Sequence, residues 1–422
     1  MLKRTLSSFM WVLLLGQSAL AEDPLAVSGY LKNFTIAFFQ PSVEGTADAY
    51  REPDLGAVNH RLRIRLNLKM ADWMSWFAAY DISPRIQDPS LFTGGPFVSG
   101  LAPGAYRFAD LDQRLYPGED RDPTSFTVFH NLDRLYTAIR TPMADIFIGR
   151  QAIAWGSGKI VNPTDVIAPF TFNELDTEER TGVDAIRVRI PLGMMDELDL
   201  GYVAGEDFVF DRSAFFLRGK INLLETDVSL LLLGFRSHLL LGLDFARSLG
   251  GAGFWCELAA TWCDVFNDDN RPAMAKDYFR AAVGLDHNLG PTTYGFLEYH
   301  FSSAGTEDPA EYLSLLETTA FVDGSVYLLG RHYLGIGISQ QISPLIPATG
   351  LLLVNLGDLS LTVAPQVEYN IAENIYLGVG IYWGIGKAPS GEEVEGRIIP
   401  TRLNSEFGTY PDMFYASFRV YF

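Results

Sequence analysis

The sequence predicts an all-β chain folded as one transmembrane, antiparallel, up-and-down β-barrel of about 18 strands, with about 16 as the lower bound. Three observations predict it. Segments of about ten residues alternate apolar and polar side chains and carry aromatics at their ends, as strands crossing a bilayer do. The connections between them alternate short and long. The chain opens on a secretory leader and closes on an aromatic, Phe422, with apolar residues at alternate positions before it.

The leader comes first. Lys3 and Arg4 precede the apolar run Phe9 to Gly16, and Ala19 to Ala21 supplies small residues for cleavage. That order predicts a signal peptide over 1–21, cut after Ala21, with the barrel over 22–422. The apolar run is far short of the roughly 20 residues of a spanning helix. Glu22, not cysteine, stands immediately after the cut, so a lipid anchor is not expected either. No later stretch of about 18 apolar residues occurs, which excludes helical spans. The formal net charge of −19, lowered further when Lys3 and Arg4 leave, excludes a nucleic-acid binder. Cys256 and Cys263 lie in one predicted strand on opposite faces, too far apart for a disulfide, and form no metal quartet. No cofactor or metal is expected.

The strands follow with their apolar faces. Clear cases are Phe215, Leu217, Ile221 and Leu223, then Leu239, Leu241, Leu243 and Phe245, then Phe254, Leu258, Ala260 and Trp262. Later come Ile375 to Ile385 and the closing Phe414, Phe418, Val420 and Phe422. Short connections such as Ala71-Asp72, Pro142-Met143 and Leu224-Glu225 alternate with long ones over Gln40–Ala57, Pro84–Ser125, Ala152–Gly182, Ser303–Leu329 and Gly386–Pro411. Outer-membrane barrels are built this way, with the short rim in the periplasm. The last strand is expected to close the ring on the first, near Tyr30. The terminal aromatic resembles the signal by which the barrel-assembly machinery receives its clients; outer-membrane lipid and lipopolysaccharide are the surroundings that this class implies.

The stretch "HRLRIRLNLKM", His60 to Met70, sets the register. Leu62, Ile64, Leu66, Leu68 and Met70 take one face, while Arg61, Arg63, Arg65 and Lys69 take the other. Cations at mid-membrane on the lipid face would cost about 2–4 kcal/mol each, so the basic face belongs in the lumen. The same parity places Arg187, Arg189, Arg218, Lys220, Arg280, Arg331 and Arg419 inside. Against them only Asp244, Asp286, Glu298 and Glu368 are clear lumen acids, which predicts a net basic wall. The remaining acids fall in long loops. That of 152–182 carries Glu174, Asp176, Glu178 and Glu179 together with the turn formers Gly156, Gly158 and Pro163. It is expected to fold inward and bring some of these acids toward the arginines. The other reading of the same acids is an external loop near the cell surface.

The combination Gly149-Arg150-Gln151, Trp155-Gly156, Asn162-Pro163, Asp165, Glu179-Arg180 and Gly182-Val183-Asp184-Ala185 resembles a pattern in little-characterised porin-like barrels of Gram-negative bacteria. The acidic loop facing a ladder of arginines is similar to the constriction of general porins. The resemblance covers roughly 149–189 and implies an outer-membrane barrel with an ordered loop. It implies no particular solute.

Catalysis is not expected. Glu298, His300 and Ser302 share one strand face, and His-x-Ser resembles the outer-membrane phospholipase motif. Ser303, however, stands where that family has Asn, and the parity turns Ser302 into the lumen, away from lipid. The remaining histidines form no metal motif. The expected function is passive diffusion of small hydrophilic solutes through a bore with a basic wall and an acidic loop that constricts it. The alternative is the barrel component of an export or uptake system for a hydrophobic or polymeric substrate, which an apolar-lined path would favour. Whether the chain forms a homo-oligomer is left open.

Overall fold

A computed structural model describes residues 24–422 apart from 46–53, 94–105, 112, 119, 267–273 and 395–396. The expected leader, 1–21, lies outside the described residues. Eighteen strands form the wall. They are β1 (Leu25–Phe39), β2 (Leu55–Ala71), β3 (Met74–Gln87), β4 (Phe126–Arg140), β5 (Asp145–Gln151) and β6 (Val183–Pro191). Next come β7 (Glu197–Val203), β8 (Ala214–Leu223), β9 (Thr226–Phe235), β10 (His238–Leu249), β11 (Ala252–Trp262) and β12 (Tyr278–Asn288). The ring continues through β13 (Thr293–Ser302), β14 (His332–Ser343), β15 (Ile346–Asn355), β16 (Leu361–Ala372), β17 (Ile375–Ile385) and β18 (Asp412–Tyr421).

Each strand pairs antiparallel with its sequence neighbours, and β18 pairs with β1 in the register Tyr30↔Tyr421 to Phe39↔Asp412, so the barrel is closed. A three-residue strand, Arg114–Tyr116, adds to β4 outside the ring, and Ser390–Val394 pairs with Arg397–Arg402 as a separate hairpin. Strands about 4.8 Å apart and tilted about 40° give an 18-strand ring a backbone diameter of roughly 36 Å. Closure leaves no edge unpaired, which a bilayer without hydrogen-bonding solvent demands.

Short turns occupy one rim and most long loops the other. Residues 236–237 and 356–360 make short connections on the long-loop rim; Arg236 and Ser237 both take positive φ, as a two-residue hairpin turn needs. Strands β2 and β3 also run further than expected. Pro84, expected in a loop, sits inside β3, because that strand continues pairing with β2 and β4 beyond the length needed to cross a bilayer. The outer face is apolar: Ile64, Leu66, Met70, Ile186, Leu217, Leu230, Leu232 and Leu241 are all exposed.

Candidate functional site: the interior wall and the crossing loop

The arginines of β2 face the interior, and carboxylates meet them there. Arg63, 1% exposed, lies 3.0 Å from Asp81 and 2.6 Å from Asp133. Arg61 bridges Asp81 at 2.7 Å and Asp176 at 3.2 Å, and Arg65 lies 2.5 Å from Glu179. Lys32 of β1 joins the cluster at 2.7 Å from Asp176 and 2.5 Å from Glu178. Elsewhere Arg187 pairs with Asp199 at 2.6 Å, Lys220 with Asp227 at 2.8 Å, Arg189 with Glu197 and Arg419 with Glu368. Arg218 donates to the Ser229 hydroxyl at 2.8 Å. Lys69 pairs with Asp72 beside a short turn. Arg280 bonds to no carboxylate among the described residues; its two terminal nitrogens donate to the carbonyls of Ser325 and Pro163 at 2.6 and 2.5 Å. Arg331 lies just outside β14, on the rim, where it donates to the Gly305 carbonyl.

The expected acid-poor wall therefore needs correction. Asp81, Asp133, Glu197, Asp199, Asp227 and Glu257 belong to it as well. Asp133 escaped strict alternation for a structural reason. The β3–β4 register shifts between Ala79 and Tyr80, and the resulting bulge turns both Asp133 and Arg134 inward. Residues near the quoted pattern also find partners. Arg150 grips both oxygens of Asp184, at 2.8 and 2.9 Å, tying β5 to β6.

The loop over 152–182 traverses the interior. In an 18-strand ring, strands nine apart face each other, so β2 faces β11 and β4 faces β13. The loop is bonded to both sides. On one, Glu298 of β13 accepts the backbone N–H groups of Lys159, Ile160 and Val161 at 2.6–3.2 Å and the Trp255 indole N–H at 2.9 Å. Glu257 of β11 accepts the N–H groups of Ser157, Gly158 and Thr164 and the Thr164 hydroxyl. Opposite, Asp176, Glu178 and Glu179 reach the cations of β1 and β2, and the Gly182 N–H reaches Asp133. Two glycines of the wall make room for the loop. A Cβ on Gly335 would lie 2.0 Å from Ile160 Cδ1, and one on Gly242 would lie 2.6 Å from Thr164 Cγ2. Within the loop, Arg180 pairs with Asp165 at 2.5 Å and donates to the Ala168 carbonyl.

The interior divides into a filled half and an open half. Ile153, Trp155, Val166 and Ile167 of the loop pack on Val203, Phe216, Leu231, Leu233 and Leu240 of β7–β10. Trp155 meets Phe216 edge-on at 4.7 Å. Each such side chain contributes about 1.5–3 kcal/mol of burial. The inward apolar residues of these strands are thus covered by the chain itself. Open space remains on the far side, in a cavity of about 640 Å³ between loop residues 172–178 and strands β15–β18, toward the short-turn rim. A neighbouring cavity of about 500 Å³ reaches β13 and β14. Phe172, Thr177, Thr349, Gln366, Tyr382 and Tyr415 line both. At the long-loop rim, Glu406 accepts the Leu329 N–H at 2.9 Å, the Asn355 amide at 2.8 Å and the Tyr333 hydroxyl, locking two long loops to β14 and β15. Burial pushes its carboxyl up to about 7.

His300 and Ser302 point inward and are buried, but His300 Nδ1 and Ser302 Oγ have no hydrogen-bond partner among the described residues. Glu298 of the same strand is occupied by the loop.

The closed 18-strand antiparallel ring with a loop crossing its interior has the fold of porin barrels. No family model matches the sequence, and no curated protein does. Solved structures do. The chain is similar to OccD3 (OpdP) of Pseudomonas aeruginosa at 9% identity and a TM-score of 0.53, over 96% of this chain and 93% of that one. OccAB3 of Acinetobacter baumannii matches at 10% identity and 0.53, over 94% and 99%. OpdK of Pseudomonas aeruginosa, solved with vanillate, matches at 9% and 0.52, over 94% and 98%. At such identities the likeness establishes the shared barrel and nothing finer.

Proposed function

We propose that this chain is a channel of a bacterial outer membrane through which small hydrophilic solutes diffuse passively, and that the loop over 152–182 sets the width of its bore. The leader would be removed after Ala21 during export, with the barrel-assembly machinery inserting 22–422 among lipid and lipopolysaccharide. The observation that carries the reading is the loop itself: bonded to opposite walls and packed on β7–β10, it leaves the cavities along β13–β18 open. Of the pore-facing cations named from the sequence, Arg61 and Arg65 would then act mainly by holding the loop's acids in place. One of the similar structures was solved with vanillate, an aromatic carboxylate, which does not name the solute of this chain.

The export reading asked for an apolar-lined path. The apolar inner wall of β7–β10 is covered by Ile153, Trp155, Val166 and Ile167, so it serves as a core and offers no path. A swelling assay on proteoliposomes tests the proposal. Neutral sugars should enter faster than into empty vesicles, with rates that fall steeply with sugar size. Swelling no faster than in empty vesicles would overturn it.

A further inference from the structure

Resting on the channel reading above, we propose that the passage selects organic cations, ammonium solutes that need no carboxylate, and that Glu174 is a residue that sets this preference. The charge geometry beside the larger cavity is directional. Asp81, Asp133, Asp176, Glu178 and Glu179 each have a cation within 4.0 Å. Those cations stand behind the loop, with Lys32 and Arg63 each 1% exposed, while Glu174 and Glu178 are exposed in front of it. Glu174 makes no ion pair with any described residue. The cavity is therefore lined by Glu174, Asp176, Glu178 and Glu368 against the single cation Arg419, which is paired with Glu368.

The second observation is the aromatic lining. Phe34, Phe172, Tyr376, Tyr382, Tyr415 and Tyr421 surround the same space. Ring faces carry negative quadrupole charge and attract ammonium groups, most strongly where water is partly displaced. Carboxylates and rings together favour a cation with an apolar body; both disfavour an anion, whose like charge meets Glu174, the lining carboxylate without an ion pair among the described residues. The neighbouring cavity does not reverse the preference. Of its cations, Arg180 is held by Asp165, and Lys159 lies 5.4 Å above the Trp255 ring and 3.9 Å from Asp286. Rings of acidic side chains are how pores pass cations and refuse anions.

The test is reversal potential in planar bilayers holding the purified protein. A potassium chloride gradient should give a cation-selective potential. Choline replacing potassium should carry current, whereas benzoate replacing chloride should carry less. E174Q should lower the cation-to-anion permeability ratio about four-fold, the combined effect on cation and anion of one unit charge about 6 Å from the path in water screened by roughly 0.1 M salt, and E174K about thirteen-fold. Unchanged heat-dependent gel migration of both variants would show that the barrel is intact. A conducting protein that prefers anions, or that is indifferent to E174Q and E174K, overturns this inference and leaves the channel reading standing. A protein that carries no current overturns both.

Discussion

Replacing Glu298 by Gln should loosen the crossing loop without emptying its site of side-chain volume. In the native arrangement Oε2 accepts from the Lys159 N–H and the Trp255 indole, and Oε1 accepts from the N–H groups of Ile160 and Val161. The Gln amide nitrogen cannot accept, so whichever way the amide turns, two of these four donors lose their partner and face another donor. Hydrogen bonds to a charged group contribute about 1.5–3 kcal/mol each, so the loss comes to about 3–6 kcal/mol at this anchor. Glu257 still holds Ser157, Gly158 and Thr164, and the Trp155 packing remains, so the barrel should stay closed while the segment 159–161 detaches. Single-channel recording should show a larger and noisier unit conductance in E298Q than in the native protein. Hydrogen exchange should show lost protection at the amides of Lys159, Ile160 and Val161. Native conductance together with native protection at those amides would refute the anchoring role given to Glu298.

Three further outcomes are expected. Deleting residues 157–178 with a short glycine bridge should raise conductance and shift selectivity toward anions, because Lys32 and Arg61 lose Asp176 and Glu178; reversal potentials measure the shift. Asp133→Ala should cost about 3–5 kcal/mol by leaving Arg63 and Arg134 buried without that partner, read as a lower unfolding temperature in heat-dependent gel migration. Glu406 has its carboxyl raised from 4.5 to about 7 by burial, so the folded latch prefers the protonated form. Its contribution is full below about pH 4.5 and is lost as pH rises through about 7, a change of about 3 kcal/mol. Limited proteolysis of the loop 386–411 should therefore accelerate from pH 5 to pH 8 in the native protein, relative to a flat response in Glu406→Gln.

What the sequence makes legible is the part of the wall with two different solvents. In β2, lipid faces Leu62 to Met70 and a polar interior faces Arg61 to Lys69, so alternation is strict and the register follows. The run Leu230 to Leu233 is not legible in that way. Its outward leucines, Leu230 and Leu232, meet lipid, while Leu231 and Leu233 meet a core built by a loop from far along the chain. The Asp133-Arg134 pair is hidden by a bulge, a one-residue departure that no alternation rule encodes. Lys32, the cation most deeply engaged with the loop's acids, stands alone in an otherwise ordinary strand. Glu257 and Glu298 share the inward parity of their strands, yet what they bind is backbone N–H of residues 157–164. Backbone partners leave no mark on residue type, which is why Glu298 reads as an ordinary lumen acid and Glu257 is absent from the acids expected in the lumen. The loop's acids were legible as a cluster; their partners were only partly so.

The most direct test of the account is current through a chain carrying Thr349→Cys, with Cys256 and Cys263 replaced by Ala. Thr349 lines both cavities on the open side of the loop, and a parallel Leu233→Cys chain puts its thiol in the covered apolar core. A bulky, charged thiol reagent added during single-channel recording should reduce the conductance of the Thr349→Cys protein in discrete steps and leave the Leu233→Cys protein untouched. An ohmic channel whose conductance ignores a Thr349→Cys adduct, or a protein that passes no ions at all, would contradict the account.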